Sequence, residues 1–278
     1  MTYKTILVHC DASAKLLPRL EVAVDLAQRF GAHLVGVHVQ APIHIPAFSA
    51  GVMPPFDVYD AYEAAAKAEH DTATATFEEG TKGSHLRGEW RLAKGFHGEA
   101  LVIQGRYADL LILGQTEPDS ETPTPGALPE TVAISSGRAV LVVPHVGVLR
   151  KPGKSIMLCW NASRESARAA AEALPFLVSA EKVIVLIVDT RKFGSGHEPE
   201  PGADVAAWLA RHGANVTVQR EVAADADVGE VILSRAADHG SDLIVMGLYG
   251  HSRLQEVILG GASRTLLSSM TVPVLMAH

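Results

Sequence analysis

Hydrophobic and polar positions alternate along this chain in two rhythms. Short runs are apolar at nearly every position, as in TILVHC at residues 5–10, LVGVHV at 34–39, LLIL at 110–113 and VLVV at 140–143. Between them, apolar residues recur every three to four positions. Leu16, Leu20, Val24 and Ala27 fall on one face of a helix predicted from Ser13 to Phe30 and stopped at Gly31. Further helices are predicted around Asp57 to Gly80, from His97, and near Pro129 to Ser136, with a weak strand near Gly88 to Ala93. Strands that are apolar throughout need cover on both faces, so the alternation predicts a parallel sheet between two layers of helices.

The pattern occurs twice. KTILVHCDAS from Lys4 lines up with KSIMLCWNAS from Lys154, an offset of 150 (154 − 4) that holds through the following helix into the second strand. Later, ADLLILG ending at Gly114 faces SDLIVMG ending at Gly247, an offset of 133 (247 − 114), and AVLVVPH faces PVLMAH. Two copies of one module follow, one over 1–146 and one over 154–278, with the boundary in the Pro- and Gly-containing stretch HVGVLRKPG at 145–153.

The second copy carries the chemistry. After the apolar run LIVM comes Gly247-x-x-Gly250, then nine residues, then Gly260, Gly261, Ala262 and Ser263 ahead of a helical pattern. In an open α/β sheet, ligands settle beyond the carboxyl ends of the strands, where the winding reverses. Gly247 and Gly250 can take positive φ and let a ligand approach the main chain. The N–H groups and dipole of the helix that follows attract an anion, and Ser263, Arg264 and His251 add donors or positive charge. The spacing points to phosphate.

This constellation, with the openings ILVHCDAS and LCWNASRESARAA, resembles the ATP-binding signature of the universal stress protein family over nearly the whole chain. The resemblance implies two tandem doubly wound α/β domains of the adenine nucleotide alpha hydrolase-like kind, each a five-stranded parallel sheet with helices on both faces. It implies an adenine nucleotide across the ends of the first and fourth strands, with Cys159 and Ile187 beside the base and Asn161 where an acid is usual. Met246, Gly247, Gly250, His251, Gly260, Gly261, Ala262, Ser263 and Arg264 then line the rest of the site. The implied function is a stress-response regulatory protein binding ATP, with or without Mg²⁺, with little or no catalysis. The family pairs through its last strands, so Val140 to Val143 and Val272 to Met276 are expected to join the two copies as a pseudo-dimer inside one chain; a homodimer of chains is left open. Two departures, Asn161 for Asp and Gly261 for Ser or Thr, predict weakened rather than abolished binding.

The first copy keeps Asp11 and Gly114 but loses the rest of the loop. Gly250's counterpart is Glu117 and Ser263's is Pro129, and Glu117, Asp119, Glu121 and Glu130 place negative charge where phosphate would lie. One nucleotide per chain is expected, in the C-terminal half.

Composition narrows the alternatives. A net charge of −7 would repel a nucleic-acid backbone, no run is long enough to span a membrane, and no nucleic-acid or membrane partner is expected. The two cysteines, Cys10 and Cys159, read as reduced thiols and favour a cytoplasmic setting. Thirteen histidines include His9 and His38 on strands expected to be neighbours, yet no familiar zinc spacing, so structural or solvated roles are expected and no metal site. Ser13 and Ser163 read as helix N-caps or ligand-facing hydroxyls. The rival to nucleotide binding is a scaffold or carrier of an apolar small molecule, using the Pro-rich stretch at 41–66 with Phe48, Met53, Phe56 and Tyr59.

Overall fold

The computed structural model describes residues 2–42, 56–86, 88–116, 128–147, 151–188, 200, 202–248 and 261–278. The N-terminal half runs β1 (Thr5–His9), α1 (Leu16–Phe30), β2 (His33–Gln40), α2 (Phe56–Thr81), β3 (Gly88–Lys94), α3 (His97–Gly105), β4 (Leu110–Gly114), α4 (Leu128–Ser136) and β5 (Ala139–Val143). The C-terminal half runs β6 (Ser155–Cys159), α5 (Arg164–Glu172), α6 (Leu174–Ser179), β7 (Lys182–Val188), α7 (Ala203–Arg211), β8 (Val216–Glu221), α8 (Val228–Asp238), β9 (Leu243–Gly247), α9 (Gly261–Ser269) and β10 (Val274–Ala277).

The two five-stranded sheets form one sheet of ten strands in the order β3-β2-β1-β4-β5-β10-β9-β6-β7-β8. Within each half every pair is parallel; at the middle β10 lies antiparallel to β5, with Val274 opposite Val142 and Met276 opposite Val140. The last strands therefore join the copies, as the family resemblance implies. Because strand side chains alternate between faces, the apolar runs feed two cores. Ile6, Val8, Ile156 and Leu158 pack beneath α1, α2, α5, α6 and α7, whereas Leu7, Val35, Met157 and Ile244 pack beneath α3, α4, α8 and α9.

Side chains also tie the halves together. Tyr3, Phe30 and Phe176 meet edge-on or tilted at centroid distances of 5.1 to 5.7 Å, with the Arg29 guanidinium over two of the rings. The Tyr3 hydroxyl donates to the Glu172 carbonyl at 2.6 Å, and Arg29 donates to the carbonyls of Pro152 and Gly153 and to Ser179 Oγ. The Asp of each SDL/ADL repeat has a structural task. Asp109 Oδ2 accepts from the backbone N–H groups of Lys4 and Thr5, and Asp242 accepts from those of Gly153, Lys154 and Ser155, so each fourth strand anchors the start of the first. Asp242→Ala leaves those donors without their acceptor and is expected to cost about 2 kcal/mol in urea unfolding; a loss within the scatter of surface substitutions would show that water takes over.

Two predicted helix starts differ. α1 begins at Leu16, with Lys15 at its N-cap and no side-chain cap, while Ser13 sits in a turn closed by its own bonds to Asp11 Oδ1. Pro18 falls in the first turn of α1, where a missing N–H does no harm. Ser163 does cap α5, accepting from the Ser166 N–H at 3.1 Å. The second-copy helix breaks at Ala173, because Pro175 starts the new short helix α6.

Candidate functional site

Winding reverses at β6, which has β7 on one side and β9 on the other, so their carboxyl ends frame a crevice. β6 leads into Asn161, whose Oδ1 accepts the Ser163 N–H at 3.2 Å, with Ala162 held at φ 57° between them. This turn fixes the Asn161 side chain at the mouth of the crevice. Among the described residues its Nδ2 has no hydrogen-bond partner, which leaves two donors for a ligand.

Gly247 closes β9 without using a positive φ. Its lack of a side chain serves a close approach instead: a Cβ there would lie 2.5 Å from the Ser166 nitrogen and 2.6 Å from the Glu165 carbonyl carbon. The start of α5 thus sits directly against the end of β9. Across from it α9 begins at Gly261, so Gly261, Ala262 and Ser263 form the first turn, whose N–H groups have no acceptor within the helix. Ser263 is buried in that turn, whereas Arg264 is exposed. Arg264 faces the other half: burial raises the Glu130 carboxyl above its ordinary range, and the Arg264 charge pulls it part of the way back. Gly250, His251 and Gly260 lie outside the described residues, as do Glu117, Asp119, Glu121, Phe48 and Met53.

The residues expected beside a base lie at the carboxyl ends of the neighbouring strands β6 and β7. Cys159 ends β6, and burial pushes its thiol up to about 12, so it is a neutral, inert group. Ile187 is fully buried, and a Cβ on Gly202 would lie 2.5 Å from its Cδ1. Its side chain belongs to the core, and only its main chain is available near the crevice. Met246 is likewise buried.

Three residues at this end of the sheet escaped the sequence reading. Asp227 caps α8, its Oδ1 accepting from the Gly229 and Glu230 N–H groups, and its Oδ2 lies 2.7 Å from where a Gly261 Cβ would be. The D-x-G-E spelling signals the cap, but nothing in the sequence signals the approach to Gly261. Gln115 crosses from the N-terminal half and donates to the carbonyls of Leu267 and Ser268, satisfying the far end of α9. Arg19, the counterpart of Ala169 at the offset of 150 (169 − 19), is only 3% exposed.

Arg19 changes the equivalent crevice of the N-terminal half. Its Nη1 donates to Asp11 Oδ2 at 2.9 Å and to the His9 carbonyl at 2.7 Å. A Cβ on Gly114 would lie 2.5 Å from its Nη2, so this glycine admits a guanidinium where Gly247 admits a helix start. Burial alone would raise the Asp11 carboxyl, but Arg19, His9 and the Ser13 hydrogen bonds outweigh it and hold the group well below the usual carboxylate range. Imidazoles surround this pair. His9 meets His97 at 6.0 Å, and His38 packs against His70 and Trp90 while its Nδ1 lies 2.8 Å from the Cys10 carbonyl. Among the described residues no group of His, Cys, Asp and Glu is arranged to hold a metal ion.

Comparison with known proteins agrees with this architecture. A family model described as Universal stress protein family matches residues 2–144 and again residues 153–278. A universal stress protein from Archaeoglobus fulgidus DSM 4304 has a similar structure, with a TM-score of 0.71 at 16% identity, covering 98% of this chain and 95% of that one. A functionally unknown protein from Pseudomonas aeruginosa PAO1 gives a TM-score of 0.57 at 17% identity, covering 99% and 92%. At these identities the likeness is one of fold. No curated protein matches the chain.

Proposed function

This chain belongs to the universal stress protein family, and on that premise we propose that its C-terminal half binds one adenine nucleotide, ATP with or without Mg²⁺, as a regulatory ligand with little or no turnover. The observation that carries the reading is the contrast between equivalent crevices. In the N-terminal half Arg19 fills the space over Gly114 and pairs with Asp11; in the C-terminal half Ala169 and Asn161 stand at those positions, and the Asn161 amide keeps its donors. A nucleoside edge against Asn161 and an anionic tail against the first turn of α9 match the donors present. That turn supplies N–H groups and a hydroxyl, which bind a phosphate without activating a water. Free, unbridged Cys10 and Cys159 support action in the cytoplasm, and no helix among the described residues is long and apolar enough to cross a membrane.

Calorimetry with the full chain is expected to show one ATP per chain, and saturation at about 100 times Kd to stabilise the fold by about 2.7 kcal/mol. Two equivalent sites, or binding that survives Gly260→Glu, would count against this reading. The scaffold or carrier reading, which uses the Pro-rich stretch at 41–66, predicts no adenine-dependent thermal shift at all.

A further inference from the structure

Of the imidazoles at the carboxyl ends of β1 and β2, two meet where α2 leaves the sheet. His38 is 4% exposed and stands on the face of β2 that packs against α2. Its counterpart in the second copy, at the offset of 150 (188 − 38), is the buried Val188, so a histidine here is peculiar to the N-terminal half. The His38 ring stacks on Trp90 of β3 at 6.4 Å and meets His70 of α2 at 5.6 Å. Beyond His70, Ala73 and Phe77 hold α2 to the sheet, the Phe77 ring filling the space over Gly36 and Gly88. Before His70 the helix has little cover: over residues 60–69 only Ala66 is half-buried. His70 stands at the junction. An uncovered helix of about a dozen residues is marginal in water, so the order of this stretch depends on what holds it there.

The contacts at the junction require neutral rings. The Trp90 Nε1–H can only donate, and it faces His70 Nε2 at 3.5 Å; that nitrogen therefore carries the lone pair, and the ring proton sits on Nδ1, 3.5 Å from Asp71 Oδ1. His38 Nδ1 lies 2.8 Å from the Cys10 carbonyl, which only accepts, so its proton is fixed as well. A further proton on His70 sets N–H against N–H at Trp90. With a second cation on His38, 5.6 Å away, the two rings also repel each other. Asp71 and Glu69 on α2 oppose this, but Asp71 is exposed and already takes the Lys67 ammonium at 2.6 Å. From the other elements, His97 of α3 and, at the end of β1, His9 with the Asp11–Arg19 pair face the histidines. Of β3 only Lys94 shares the Trp90 face, because Glu89 and Arg91 alternate to the other side.

We propose that the contact of His38, His70 and Trp90 is a proton-sensitive latch: protonation of the histidine pair in mild acid releases the start of α2, residues 56–70, from the edge of the sheet and uncovers Trp90, while the rest of α2 stays docked. The latch is independent of what the C-terminal half binds. Its test is hydrogen exchange on the intact chain at pH 7.5 and pH 5.5, a range in which imidazoles gain charge, with rates referred to an unstructured peptide at the same pH. Wild type is expected to lose about tenfold or more of its protection over residues 58–70 at the lower pH and to keep it over residues 73–81. His70→Gln retains an acceptor for the Trp90 N–H without titrating, and is expected to hold the two values within about twofold. His38→Gln retains a donor for the Cys10 carbonyl and is expected to cut the loss to about threefold or less; it serves if the first variant folds poorly. Equal protection of residues 58–70 at both pH values in wild type, or an undiminished loss in both variants, overturns the proposal. So does a loss that runs equally through residues 73–81, which marks a general acid weakening of the N-terminal half rather than the release of one segment.

Discussion

Arg19→Met is expected to destabilise the protein by about 3 kcal/mol, because it leaves the Asp11 carboxylate without its cation in a site that is mostly shut off from water. Arg19 is 3% exposed and the Asp11 side chain 22%, so solvent can stand in for only part of the lost partner. The Met side chain preserves most of the packing over Gly114, which separates the electrostatic loss from a cavity effect. The loss should therefore be largely recovered in the double variant Asp11→Asn, Arg19→Met, where neither charge remains to be buried. Urea unfolding of wild type, both single variants and the double variant gives the coupling energy directly. Additive losses in that cycle would show that the pair is not an energetic unit.

The same crevice makes the fold acid-sensitive at mild pH. Burial lowers the His9 pKa from 6.5 to about 3; neighbouring Arg19, His97 and His38 push it further down, and Asp11 opposes them. His97 is lowered as well, first by burial and then by His38, against Glu69 and Asp11. A folded-state pKa below the unfolded value means that stability is complete above about pH 6.5 and is lost as pH falls toward the folded value. For His9 alone, moving from pH 7.5 to pH 5 is expected to cost about 2 kcal/mol, and the full shift corresponds to nearly 5 kcal/mol reached only near pH 3. Asp11 acts in a lower window: its depressed pKa contributes stability above its unfolded value near 4 and loses it only below. His9→Gln should flatten the decline between pH 6.5 and 5 by at least half, measured as urea midpoints across that range. An unchanged slope in the variant would place the acid sensitivity elsewhere.

Much of the fold is legible in the sequence alone. The duplicated register located β1 and β6, the helix following each, and the strands β5 and β10 that meet at the joint, because apolar runs and 3.6-residue spacing report burial directly. The helix starts were less legible. Ser13 and Ser163 look alike in sequence, yet only Ser163 caps, since Asp11 draws the Ser13 hydroxyl and N–H into its own turn. The candidate site was legible as a set of residue types and much less so as a geometry. Gly114 and Gly247 occupy equivalent positions and were read as one retained feature, but the first makes room for Arg19 and the second for the start of α5. Ile187, expected beside a base, has its side chain in the core on the face that alternation from Val183 and Val185 gives it, and Gly202 leaves room for its Cδ1.

The amino-acid sequence by itself determined the module, its duplication and the covered parallel sheet, since all three follow from local hydrophobic period and residue spacing along one chain; the family came from the resemblance of its glycine motif and strand openings to a known signature. Only the tertiary structure decided that Arg19 fills one crevice beside Asp11 and that Asp227 stands beside the start of α9 at the other. Asp227 and Gly261 are 34 residues apart (261 − 227) and approach only because α8 and α9 lie side by side on one face of the sheet. Contacts of that kind depend on how elements stack, which no local period encodes.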